Sequence, residues 1–199
     1  MAIDKDSVRE LVLQALETER GGIQIYETAI GCAVNDELRE EWDKYLEQTR
    51  RHEQVVTELC ESLGFDPEEE TPGRGVVRHI GESLVAAMDK AKTAGDPDAA
   101  QLVATECVVL AETKDHLNWE LLEQLGQKES GGRKKAIETA CEEVEDEEDK
   151  HLYHTQGWSR ELWLEALGLP AVIPPPEEEK DVATAIGAAR AKQQREDML

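Results

Sequence analysis

The feature that most constrains this chain is its helical punctuation. Four long stretches carry apolar side chains every three or four residues, and each is bounded by cap signals and a glycine or turn. Ser7 followed by Glu10 predicts a capping box, with apolar spacing that runs to about Ile30. A second helix is predicted from near Asn35 to Gly64. Thr71-Pro72 places an N-cap before a proline at the first helical position and opens a shorter helix ending near Gly95. Asp96-Pro97 repeats the device and opens a third long helix that ends at Gly126, while Ser130-Gly131-Gly132 starts a fourth that runs to Gly168. The expected fold is all-α: a four-helix bundle over residues 1–169, with a long second-to-third connection that contains the short helix. Pro170 and the run Pro174 to Glu179 predict a stiff acidic linker over 170–180, followed by a C-terminal tail over 181–199 whose composition allows a helix.

Composition narrows the function. Among 199 residues, 45 acidic side chains face 22 basic ones, for a formal net charge of −23. Such a polyanion is a poor ligand for nucleic acid or an anionic membrane face, so neither is expected as a partner. No apolar run approaches the roughly 18–20 residues of a bilayer span, and MAIDKDSVRE has no signal-peptide core. Cys32, Cys60, Cys107 and Cys141 lie far apart, without a CxxC pair, which argues against a zinc site or a disulfide framework. Buried reduced thiols and a cytoplasmic location are expected.

The informative positions are polar residues where the helical period demands apolar ones. The first stripe runs Val12, Ala15, Leu16, Glu19, Ile23, Tyr26, Ile30. The second runs Leu38, Trp42, Tyr45, Thr49, His52, Val56, Leu59, Leu63. The third runs Leu102, Thr105, Val109, Glu112, His116, Trp119, and the fourth Ile137, Cys141, Val144, Glu148, His151, Thr155, Trp158. One such residue is ordinarily a misjudged edge position; the coincidence across all long helices is what carries weight. Buried ionised carboxylates cost several kcal/mol unless paired or coordinated. A divalent cation relieves their mutual repulsion, and Glu with His at i, i+3 suits iron or manganese. Gly21-Gly22, just after Glu19, predicts a bulge, a close helix approach or a loose turn there. A faint repeat relates ETERGGIQIYE to LAETKDHLNWE: Glu19 precedes Tyr26 by seven residues, as Glu112 precedes Trp119.

These residues resemble the ferritin-like superfamily of carboxylate-bridged dimetal proteins, which includes bacterioferritin and rubrerythrin. Glu19 with Tyr26 looks like that family's first-helix ligand and following tyrosine. His52 looks like the second-helix histidine, Glu112 like the third-helix carboxylate, and Glu148-x-x-His151 like the fourth-helix motif. The resemblance covers about residues 7–168. It departs at Thr49, where the family pattern has a bridging Glu three residues before the histidine. Either Glu53 substitutes, or the site is asymmetric, mononuclear or defunct. His116 and His154 are extra imidazoles, and Tyr26, Thr49 and Trp119 are neighbours of the expected site.

The resemblance implies two iron ions, with manganese as the alternative, and redox chemistry with oxygen or peroxide as an oxidase, ferroxidase or peroxide scavenger. It also implies an external electron donor and a homo-oligomeric assembly. Two further readings stay open: a metal-free helical interaction protein, favoured by Thr49, and a dimanganese catalase-like enzyme.

Overall fold

The computed structural model describes residues 3–170, apart from the side chains of residues 145 and 146. The expected tail, and the linker beyond residue 170, lie outside this range. The described chain is all-α, with no strand: α1 (Lys5–Ile30), α2 (Asp36–Leu63), α3 (Pro72–Thr93), α4 (Pro97–Gly126) and α5 (Gly131–Ala166).

The caps explain most boundaries. Asn35, Thr71 and Asp96 each accept a hydrogen bond from the backbone N–H three residues on, at 3.1, 3.2 and 3.2 Å. The expected Ser7–Glu10 box does not form. Asp4 caps α1 instead, accepting from the Ser7 N–H at 3.1 Å, and Glu10 turns to Gln14 at 3.0 Å. An aspartate one turn earlier captures the free N–H groups, so the helix starts earlier. Gly64, Gly95 and Gly168 end or follow their helices at φ of 79, 87 and 68°, the left-handed region that glycine enters without a Cβ penalty.

Four helices form a ring in which α1 packs on α2, α2 on α5, α5 on α4, and α4 on α1. The expected short helix is larger than a connector. At 22 residues it is a fifth packed element, lying outside the ring against both α1 and α4. Side-chain partners give the directions. Arg74 meets Glu17 and Lys92 approaches Gly31, so α3 runs parallel to α1. Gln101, near the start of α4, accepts from the backbone N–H groups of Val34 and Asn35, just past the end of α1, at 2.7 Å each. Nearer its other end, α4 donates from Asn118 to Thr18 at 3.0 Å, so α1 and α4 are antiparallel. The result is two antiparallel hairpins, α1–α2 and α4–α5, with α3 as the crossover that lets α2 and α4 run the same way.

Gly22 explains the glycine pair. A Cβ there would stand 3.2 Å from the Thr49 methyl, so α1 and α2 touch at this level. Of the alternatives, close approach holds; α1 is continuous through both glycines.

Arg74 anchors the crossover. It is 1% exposed, donates to Glu17 at 2.6 Å, and holds the carbonyls of Pro67 and Glu69 at 2.6 and 3.0 Å. Truncation to Ala strands the buried Glu17 carboxylate with Arg78 alone. Arg74→Ala is therefore expected to cost about 3 kcal/mol, read as a lower urea midpoint at unchanged m-value.

The apolar interior is split. One cluster, built on Val12, Leu16, Val56, Leu59, Ile137 and Val144, fills one end of the bundle. Another, built on Ile25, Leu38, Trp42, Met88, Ala104 and Val108, fills the other. All four cysteines are buried and outside any disulfide, and burial pushes Cys60 and Cys107 up to about 11. Among the described residues no helix is long and apolar enough to cross a membrane.

Candidate metal centre

Between the two apolar clusters lies a polar layer, and every helix of the ring contributes to it. α1 supplies Glu19, α2 His52, α4 Glu112 and Asp115, and α5 Glu148 and His151; none is more than 6% exposed. On α4 and α5 the two residues stand three apart, so each pair projects from one helical face.

The geometry resolves into two triads. His52, His151 and Glu148 offer ligand atoms within 4.8 Å of one another, and so do Glu19, Asp115 and Glu148. Glu148 belongs to both. Its Oε1 lies 2.6 Å from His52 Nδ1 and 3.7 Å from His151 Nδ1, while Glu112 Oε2 lies 3.9 Å from His151 Nδ1.

Both imidazoles are aimed. His52 Nε2 lies 2.9 Å from Glu147 Oε2, and His151 Nε2 lies 3.1 Å from Gln48 Oε1. Carboxylate and amide oxygens only accept here, so each Nε2 carries the proton and each Nδ1 turns a lone pair inward. Burial keeps both rings neutral by pushing their pKa values down, His151 well below the ordinary value. A bare Nδ1 facing Glu148 Oε1 at 2.6 Å is two lone pairs in contact unless a proton held by Glu148 or a metal cation lies between them.

The acids tell the same story. Burial raises Glu19, Glu112 and Asp115 well above their ordinary values, and their neighbours' charges raise them further. Burial likewise lifts Glu148 to about 8. Glu19 Oε2, Glu112 Oε2, Asp115 Oδ1, both Glu148 oxygens and both Nδ1 atoms are buried without a hydrogen-bond partner. Among the described residues no Lys or Arg forms an ion pair with these four acids. The buried Glu17 and the half-buried Glu41 behave differently. Burial raises Glu17, but Arg78 and Arg74 outweigh it and leave its pKa lowered. Burial raises Glu41 too, but hydrogen bonds with His154, Tyr45 and Trp158 hold it at about 2.

The remaining sequence candidates divide. Trp119 donates from Nε1 to Glu19 Oε1 at 3.1 Å, and Tyr26 is fully buried beside Glu112. The faint repeat thus becomes reciprocal: on antiparallel neighbours, each glutamate meets the aromatic that follows the other glutamate by seven residues. Thr49 is buried in the α1–α2 contact, with its hydroxyl donating back to the Tyr45 carbonyl at 2.9 Å. Glu53 is not brought to the layer; Arg20 holds it at 3.1 Å. His116 stands at the rim between Asp149 and Glu120, at 3.4 and 3.5 Å. His154 reaches Glu41 and the Tyr45 hydroxyl, both at 2.9 Å, and the Tyr45 ring lies 4.3 Å from that of His151.

Asp115 was not singled out from the sequence. It is three residues after Glu112, the same spacing as Glu148 and His151, and that i, i+3 pair was the available signal. Gln48 and Glu147, which orient the imidazoles, carry no signal beyond their neighbourhood.

A cavity of about 230 Å3 between α4 and α5 is lined by Glu148, Trp119, Cys141 and Val144 together with His116 and Tyr153. In comparisons with protein-family models, curated proteins and solved structures, the chain matches none of them.

Proposed function

We propose that this chain is a ferritin-like dimetal carboxylate protein that uses two iron ions, with manganese as the alternative, for redox chemistry with oxygen or peroxide. The observation that carries this reading is the pair of buried triads joined at Glu148, with inward ligand atoms that lack hydrogen-bond partners. The donor set fits: carboxylate oxygens and imidazole nitrogens suit iron and manganese. The charge fits as well, since Glu19, Glu112, Asp115 and Glu148 together offset two divalent ions. Two hairpins joined by a crossover agree with the resemblance, and Glu148, common to both triads, would offer the shared carboxylate that Thr49 cannot.

A redox-active ion pair held there would supply electrons to oxygen or peroxide. The chain's own contribution is to hold and exclude. Trp119 fixes Glu19, while Glu147 and Gln48 fix the imidazoles. The apolar clusters on either side keep bulk water away, and the α4–α5 cavity admits a small oxidant. Electrons for repeated turnover come from an external donor, a protein or a small reductant.

The test is anaerobic iron(II) titration of the purified protein, followed by exposure to oxygen. Two equivalents bound, with oxygen consumed, support the reading; less than about 0.2 equivalents of iron or manganese would sink it. Peroxide disproportionation without a reductant would instead favour the catalase-like chemistry. Glu147→Ala, which frees the His52 ring, is expected to weaken metal binding about 10–100-fold in the same titration, with helicity unchanged.

A further inference from the structure

We propose that the groove between α1, α3 and α4 binds a free medium-chain fatty acid, with its carboxylate on Lys114 and its chain in the cavity beside Gly21. The site stands apart from the metal layer and does not depend on it. A cavity of about 50 Å3 lies where α3 packs on α1 and α4, and Ile25, Val77, Ile80, Leu84 and Leu110 line it. A water-sized atom occupies roughly 10–15 Å3 of such space, so about four chain atoms fit inside. Ile80 and Leu110 are 54% and 61% exposed, so the apolar surface continues outward and takes the rest of the chain. Glycine makes the room. A Cβ on Gly21 would meet no atom within 4 Å, while a Cβ on Gly81 of α3 would stand 3.7 Å from the Gly21 Cα. Gly22 serves the α1–α2 contact; Gly21, its neighbour, leaves space on the α3 side.

Lys114 supplies the charge. It is half-buried and lines the same cavity. Among the described residues it forms no ion pair, and its ammonium donates to the neutral amide oxygen of Asn118. Asp115 acts on it electrostatically, but lies about 100° around α4 and serves the metal layer. Glu17, the acid in the lining, is already held by Arg74 and Arg78 at 2.6 and 2.7 Å. Burial of an ammonium without a counter-ion is unfavourable, and burial lowers the Lys114 pKa. An anion from outside completes the pair, and the apolar lining requires that it carry an aliphatic chain. The net charge of −23 is screened beyond roughly 8 Å at physiological salt, so the contact itself decides. A bilayer face needs a basic cluster, where this groove offers one lysine; a second copy brings the same net charge of −23.

The measurement is titration of the full metal-free chain with octanoate, by calorimetry and amide NMR, with octanol as the uncharged probe. Octanoate should bind at one site with a Kd of about 1 mM or tighter, and octanol at least about tenfold more weakly. Amide shifts should centre on Gly21, Gly81, Leu84 and Ala111. Lys114→Met keeps an unbranched apolar stem and should bring octanoate to the affinity of octanol. Gly21→Leu fills the cavity and favours the helix, so it should weaken both probes at least about tenfold in a folded protein. Equal affinity for the two probes, octanoate binding untouched by Lys114→Met, shifts centred elsewhere, or no binding up to ~10 mM would each overturn the proposal. Shifts over this face that follow protein concentration alone, with a dimer in sedimentation, would overturn it in favour of a second copy.

Discussion

Glu148→Gln should abolish metal binding at both positions while making the metal-free protein more stable. The expectation follows from sharing. Glu148 is the single residue common to the two triads, so its loss removes a ligand from each ion at once. In the metal-free protein the same carboxylate is a liability: it is 2% exposed, has no partner for either oxygen and is lifted by burial to about 8. A neutral amide of the same shape removes one charge from the acid cluster and should stabilise the metal-free bundle by roughly 2 kcal/mol at pH 8. The unaltered protein should gain about 2.7 kcal/mol for each site at a metal concentration one hundred times its Kd. At this chain length that is a rise in Tm of roughly 5–10 °C per site. The variant should show no such rise. Thermal melts of both proteins, with and without iron(II), make the comparison, and a variant stabilised by metal as much as the parent would refute the bridging role.

Metal-free protein should lose stability as pH rises from 6.5 to 8, and metal-loaded protein should not. Glu19, Glu112, Asp115 and Glu148 all have folded pKa values raised above their unfolded ones, chiefly by burial. The native state therefore holds protons that the unfolded chain has already released, and stability falls with pH until those protons leave, near pH 8 for Glu148. His52 and His151 act the other way. Their folded values are lowered, so their contribution is present above the unfolded value near 6.5 and is lost as pH falls below it. The histidines' opposing slope fades over about one unit above 6.5, after which the acids act alone. Bound metal replaces the acid protons, so the slope should vanish and metal uptake should acidify an unbuffered solution. Urea midpoints across this range check the sign; a rise with pH in the metal-free protein would mean that the four acids are not stacked against one another as described.

The site was legible in part because buried charge is conspicuous against an apolar period. Glu19, His52, Glu112, Glu148 and His151 stood on the stripes and reach one layer. Asp115 escaped for a physical reason. α4 packs on α1, α3 and α5 and therefore buries a broad face, including Ala104, Val108, Asp115 and Asn118. A single narrow stripe through Val109 and His116 missed this second inward row. Glu53 failed for the converse reason. It follows His52 directly and so lies about 100° around α2, where Arg20 holds it.

The periodicity, the Asn35, Thr71 and Asp96 caps and the glycine stops are local signals, so they settled the number of helices and most of their limits from the chain alone. They also placed unmatched charge at mid-helix, because a 3.6-residue period is a property of one helix. Sharing is not local. That Glu148 belongs to both triads, that both imidazole Nδ1 atoms turn to it, and that α3 packs as a fifth helix pinned by Arg74 are all facts about how helices sit against one another. They depend on the rotation and depth of each helix in the ring, which no single helix carries.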